Sequence, residues 1–291
     1  MTSFVDGDYR GGEWFEQGDP GKMTSITEAG TRYDIAGHHH EKPVVLVHGL
    51  GLNRQMWQWQ ISALASRYKV ITYDLIGHGE TSALSKPPSL TTFSEQLREL
   101  LDHLDVDRAA IAGFSLGGMI VRRFAMDYPG RLSALGILHS AHARDDVARK
   151  AVQERVEQAR REGPAATIEA ALERWFSATF RLQNTEVMDL IRTWIMANDK
   201  QIYPGNYQVL VDGVDELVAP DPPICCPTLV MTGDEDYGNS PGMSRAIAAE
   251  IPGAQLVINR GLRHMAMVEA PDTINQQLMA FFDSAWKPHF S

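Results

Sequence analysis

The stretch Gly113-Phe-Ser115-Leu-Gly117-Gly118 constrains this 291-residue chain more than any other. An apolar run, residues 108–112, leads into it, and residues with helical spacing follow as far as Tyr128. A strand, a sharp turn carrying a serine, and a helix are the context of a G-x-S-x-G elbow. Gly113 and Gly117 lie two residues either side of Ser115, where a Cβ would collide with the strand-to-helix crossing. The serine is expected in a strained backbone conformation, its hydroxyl above a sheet. The first amides of the helix would point at whatever sits over it. Alone, the pentapeptide also fits a glycine-rich turn with an incidental serine, so the rest of the chain decides.

Around the elbow, strand-like and helix-like stretches alternate. Pro43-Val-Val-Leu-Val47 is a continuous apolar run, as expected of a strand buried on both faces of a parallel sheet. Residues 69–73, 108–112, 132–139, 227–232 and 255–258 read as further strands. Helical spacing fills residues 57–67, 93–104, 115–128, 243–250 and 273–282. Two shorter strand-like pieces, residues 23–28 and 31–35, come first, with Gly30 and Gly37 as turns. This order implies an α/β fold, with a mostly parallel central sheet, helices on both faces and right-handed crossovers.

The rhythm breaks once. From residue 141 to residue 222 there are charged amphipathic stretches (145–162, 165–176 and 186–198) and no convincing strand. An insertion after the strand 132–139 lands above the elbow, so it reads as a helical lid. Trp175, Phe176 and Trp194 are its candidate substrate-binding aromatics. The expected organisation is an N-terminal extension of residues 1–22 carrying Trp14 and Phe15, a core of residues 23–140 and 223–291, and a lid of residues 141–222.

Charge narrows the partners. The chain has 27 Lys and Arg against 37 Asp and Glu, a formal net charge of -10. Such a surface is not steered toward nucleic acid or anionic membranes. An anionic substrate would need a local cation, for which Arg54, Arg122, Arg123 and Arg174 are the candidates. No apolar run approaches bilayer length, and no signal-like segment is visible. The adjacent Cys225 and Cys226 suit a reducing compartment. A cytoplasmic protein acting on a small molecule is the expectation.

A serine hydroxyl needs a base to take its proton, and the base needs an orienting acid. His264 and His289 follow the elbow in the order serine, acid, histidine. His264 lies in a loop just after the strand 255–258; His289 is at the chain end, where fraying is common. Asp234, Glu235 and Asp236 follow the strand 227–232, and periodicity does not choose among them. After the strand 132–139 come Ser140, Ala141 and His142, so no carboxylate is available there. The oxyanion needs two backbone donors, supplied by the amides of Leu116 and Leu50, the latter in His48-Gly-Leu-Gly51. His48 and His78 read as structural. His38-His39-His40 reads as an exposed hairpin loop, lacking partners at metal-ligand spacing.

Together Val47-His48-Gly-Leu-Gly51, Asp74-Leu-Ile-Gly-His-Gly79, the elbow, Gly233-Asp-Glu-Asp236 and His264-Met-Ala-Met-Val-Glu269-Ala-Pro271 resemble the α/β-hydrolase fold superfamily, from residue 23 to residue 282. The superfamily's acid lies three residues after the glycine ending its strand, which implies Asp236. Within it, the chain is most similar to 3-oxoadipate enol-lactonases and related small esterases and lactonases. That likeness rests on Asp127-Tyr-Pro-Gly-Arg131, Arg161-Glu-Gly163 and Glu173-Arg-Trp-Phe176. The resemblance implies an ester or lactone hydrolase with Ser115, Asp236 and His264 as triad, and neither cofactor nor metal. Alternatives on the same fold are a C–C bond hydrolase of vinylogous diketones, a cofactor-free perhydrolase and a ligand receptor. A serine at position 115 disfavours haloalkane dehalogenase chemistry, whose nucleophile is an aspartate.

Overall fold

The apolar runs assemble into one eight-stranded sheet in the computed structural model, which describes residues 22–286. The chain opens with β1 (Met23–Ile26), β2 (Arg32–Ala36) and β3 (Pro43–Val47), then α1 (Gln58–Ala65) and β4 (Lys69–Tyr73). Next come α2 (Leu90–His103), β5 (Ala109–Phe114), α3 (Leu116–Asp127) and β6 (Leu132–Leu138). Five helices follow without an intervening strand: α4 (Asp146–Glu162), α5 (Ile168–Trp175), α6 (Ala178–Gln183), α7 (Thr185–Met196) and α8 (Tyr203–Asp212). β7 (Thr228–Gly233), α9 (Pro241–Glu250), β8 (Gln255–Asn259), α10 (Ala266–Glu269) and α11 (Pro271–Ala285) complete the described part. Trp14, Phe15 and His289 lie outside the described residues.

The strand order is β1-β2-β4-β3-β5-β6-β7-β8. β1 and β2 pair antiparallel, and every pair from β4 to β8 is parallel. Every residue of β3, β5 and β7 is buried, which is why those stretches read as unbroken apolar runs. The pleat divides them between two cores. Val45, Val47 and Ile111 face a cluster with Leu97 of α2 and Phe124 of α3. Val44, Leu46, Ala110 and Ala112 face another with Leu64 of α1 and Phe282 of α11. Burying an aliphatic side chain stabilises by about 1.5–3 kcal/mol, so a polar residue in β3 would be costly on either face.

The sequence-predicted strands and helices fall within one to three residues of their ends here. Three helices were not anticipated. α6 and α10 span only 6 and 4 residues. α8 opens on Tyr203-Pro204-Gly205, a turn-like start that conceals a helix with Pro in its first turn.

What this topology does for function is collect loops. In parallel strands all carboxyl ends lie on one edge. The loops after β3, β5, β6, β7 and β8 therefore converge, carrying residues 48–51, Ser115, His139, Asp236 and His264.

Candidate active site

Ser115 stands where β5 ends and α3 begins, with φ 55 and ψ -111. Positive φ is a strained conformation for a residue with a side chain, tolerated where the surroundings over-determine it. They do so here. A Cβ on Gly113 would lie 2.1 Å from the Gly117 carbonyl oxygen, and one on Gly117 would lie 2.3 Å from that of Val47. The backbone amide of Ser115 donates to Leu138 O at 2.9 Å, extending the β5–β6 ladder past the strand end. From Ala109 to Arg122 every residue is buried except Ser115. The turn thus presents one hydroxyl to a cavity and hides its neighbours.

That cavity is also lined by His264, Asp236, Leu50, Phe114 and Trp175. His264 follows β8, is 6% exposed, and its Nδ1 stands 2.7 Å from Asp236 Oδ2. Of the three consecutive acids, Asp236 alone turns inward. Asp234 is exposed and accepts from the Gly261 amide, and Glu235 faces Arg263. The other oxygen of Asp236 accepts from the amides of Gly238 and Asn239 at 3.2 and 3.0 Å. Burial alone would raise the pKa of this carboxyl. The charge of His264 and the hydrogen bonds from both histidines around it outweigh burial and hold it well below the usual carboxylate range. Ser115 Oγ makes no hydrogen bond with His264 among the described residues; such contacts are commonly long without substrate.

His139 was not anticipated. It directly follows β6, where the sequence reading counts it as the last residue of the strand 132–139. Its Nδ1 stands 2.9 Å from Asp236 Oδ2, the same oxygen that serves His264. Its φ is 50, its side chain is fully buried, and burial holds its pKa below the ordinary value. A histidine just after a parallel strand was the only signal in the sequence. His139, Asp236 and His264 are also the group of described residues whose ligand atoms come close enough for a metal, all within 4.8 Å. Donors around a tetrahedral zinc stand roughly 3.3 Å apart, for bonds of ~2.0–2.1 Å. Both imidazoles instead sit at hydrogen-bonding distance from one oxygen. The spacing fits two N–H donors on a carboxylate.

The loop after β3 lies against the elbow: a Cβ on Gly49 would approach Ser115 Cβ to 3.3 Å. No backbone carbonyl among the described residues accepts from the Leu50 amide. The Leu116 amide, first in α3, has no intrahelical acceptor by geometry. Two donors are thus left beside Ser115. His48 braces this loop through Nδ1 to Gly49 O at 2.8 Å and Nε2 accepting from Leu75 N at 3.0 Å. His78 packs on it, ring centroids 5.3 Å apart. His38 and His39 lie exposed in the turn between β2 and β3.

Two of the predicted substrate-binding aromatics require correction. Trp175 lines the cavity, but Phe176 is fully buried, stacked on Phe180 at 5.3 Å, and Trp194 packs edge-on against Trp59. Both complete the core between the inserted helices and the sheet; Tyr203 and Tyr207 take the cavity positions instead. Among the arginines considered, Arg174 alone lines the cavity, joined by Arg144 and Arg155. Arg54 bonds Asp34, Asp74 and Glu80; Arg122 ties the carbonyls of Ala141 and Leu217; Arg123 pairs with Asp127 and Glu216.

The chain matches the family model described as alpha/beta hydrolase fold over residues 42–271. It is 28% identical over 245 residues to (E)-2-((N-methylformamido)methylene)succinate hydrolase of Acinetobacter baylyi, covering 84% of this chain and 91% of that relative. It is 25% identical over 248 residues to 3-oxoadipate enol-lactonase 2 of the same organism, covering 85% and 91%. The crystal structure of the enol-lactonase from Burkholderia xenovorans LB400 superposes with a TM-score of 0.82 at 27% identity, covering 90% of this chain and 100% of that one. By its sheet, its elbow and these matches, the chain belongs to the alpha/beta hydrolase fold family and is a hydrolase of that class.

Proposed function

We propose that the protein cleaves a small ester or lactone through an acyl-enzyme on Ser115. Ser115 Oγ attacks the carbonyl carbon while His264 Nε2 takes its proton. The Leu50 and Leu116 amides hold the oxyanion that forms. Nε2 then hands the proton to the departing alkoxide oxygen as the C–O bond breaks, leaving the acyl group on Ser115. Water attacks that ester, giving its proton to His264, and the acid leaves as Ser115 recovers a proton. Asp236 keeps the Nδ1 proton on His264 and stabilises the imidazolium. Residues 141–222 form the lid in this reading, and their helices close the cavity opposite the sheet. None of these steps calls on a metal or cofactor.

The observation that carries the reading is the placement of Ser115: one strained, solvent-reachable hydroxyl in a buried turn, sharing a cavity with a histidine bonded to a buried carboxylate. Relatives named as a hydrolase and an enol-lactonase support the reaction class. The test is turnover of p-nitrophenyl esters and lactones by the wild type and Ser115→Ala. The variant is expected to lose on the order of 10⁴–10⁶ in kcat. Turnover retained in homogeneous Ser115→Ala protein would rule the mechanism out.

A further inference from the structure

Three arginines of the inserted segment line the same cavity as Ser115 and His264: Arg144 just before α4, Arg155 within it and Arg174 in α5. Each is half-buried. Each guanidinium is anchored by one uncharged acceptor. Arg144 donates to Leu210 O at 2.6 Å, Arg155 to Tyr207 Oη at 3.1 Å and Arg174 to Ala170 O at 2.7 Å. Among the described residues, no carboxylate lies within ion-pair distance of any of the three. Most other arginines here behave differently; Arg54, Arg98, Arg123, Arg149 and Arg192 all hold acids.

The cluster is electrostatically unfavourable in the free protein. Burial, then the neighbouring Arg155 and Arg149, push the Arg144 guanidinium down to about 10. Burial, then Arg155, lower that of Arg174. Guanidinium groups carry their charge at neutral pH, so the three repel one another across the cavity they share. In a chain with 37 acidic residues and a net charge of -10, the one carboxylate that lines this cavity, Asp236, is bonded to His139 and His264 and not to an arginine. Uncompensated cations around a reactive hydroxyl are the signature of a site completed by an anionic ligand. Tyr207 adds to it: its oxygen already accepts from Arg155, so its own hydrogen remains for a ligand oxygen.

Building on the acyl-enzyme reading above, we propose that the substrate is an ester or lactone bearing carboxylate, held by Arg144, Arg155 and Arg174 while its carbonyl faces Ser115. A guanidinium fork matches a carboxylate in two parallel hydrogen bonds. Three such forks suit a dicarboxylate better than a single acid group, which would leave two cations unopposed.

The test compares matched esters, p-nitrophenyl valerate and the p-nitrophenyl half-ester of glutaric acid, on the wild type, Arg155→Met and Arg174→Met. Wild type should prefer the half-ester in kcat/KM. Each variant should lose roughly 10- to 100-fold more on the half-ester than on the valerate, the worth of a charge-assisted hydrogen bond. Free glutarate should inhibit the wild type competitively and the variants weakly; inorganic phosphate inhibiting as well as glutarate would point to a phosphate-bearing substrate and overturn the carboxylate. Equal losses on both esters, or no wild-type preference, would overturn the proposal. Folding is monitored independently, since removing one of three like charges should leave the melting temperature unchanged or higher. Ser115→Ala separates the two readings. Ser115-dependent valerate hydrolysis without charge preference defeats this inference alone, whereas hydrolysis surviving Ser115→Ala defeats the mechanism beneath it.

Discussion

Ser115 and His139 end neighbouring strands, and both hold a left-handed backbone that side chains rarely adopt. Their strain is local and has a use: it turns a hydroxyl into the cavity and an imidazole onto Asp236. Because His139 and His264 share one carboxylate oxygen, His139 draws on the same negative charge that would stabilise a His264 imidazolium. His139→Phe keeps the ring volume and removes the bond. It should shift the acid limb of the pH–rate profile to higher pH, so that kcat/KM falls at pH values on that limb while the plateau at higher pH is kept. His139→Asn tolerates the backbone and can still donate, and should stay close to the wild-type profile. An unchanged profile in His139→Phe would mean that the second histidine only packs. At this scale the sequence was readable where a residue follows the carboxyl end of a strand, as with Ser115 and His264, which the structure brings to one cavity. It left three consecutive acids open, because burial of one of them depends on the Asp236 turn packing against His139 and Asn239.

Strand, turn and helix act together around the elbow. Gly117 packs so closely on the end of β3 that a Cβ would press on the carbonyl oxygens of Val47 and His48, at 2.3 and 2.7 Å. Gly117→Ala must push apart α3 and the loop that carries the Leu50 amide. It should destabilise by about 3 kcal/mol or more and reduce turnover even in the fraction that stays folded, measured by thermal melting alongside activity. The apolar runs of β3, β5 and β7 made these elements plain in the sequence, because strands buried on both faces have no polar alternation to confuse them. The inserted helices were harder. Val152 and Val156 of α4 pack in one cluster with Val209 and Val211 of α8. α8 was hidden behind its Pro-Gly start, so the face that α4 turns to the cavity, with Val152 and Arg155, could not be read. Phe176 and Trp194 were chosen as aromatic pocket residues, yet a small helical layer uses its largest side chains to build its own core.

Over the whole molecule, charge and protonation pull in separable pH ranges. His48 and His78 are fully buried, and burial pushes them down from 6.5 to about 4 and about 3; His139 is lowered by burial as well. The folded chain therefore resists protons that the unfolded chain accepts. Their contribution to stability is complete above pH 6.5 and is lost as the pH falls toward those lower values, about 3 kcal/mol for His48 alone. The melting temperature should fall steadily between pH 7 and pH 5, before carboxylates such as Asp236 titrate; a flat profile there would contradict neutral burial of these rings. Among the described residues no helix is long and apolar enough to cross a membrane. The fold and family rest on sheet and elbow, and the proposed chemistry on a single oxygen. The most direct check is to label the protein with an alkyl fluorophosphonate and map the adduct by peptide mass. One adduct per chain on Ser115, with activity falling in step, is the expected result. An adduct on another residue, or full activity with Ser115 modified, would contradict Ser115 as the nucleophile.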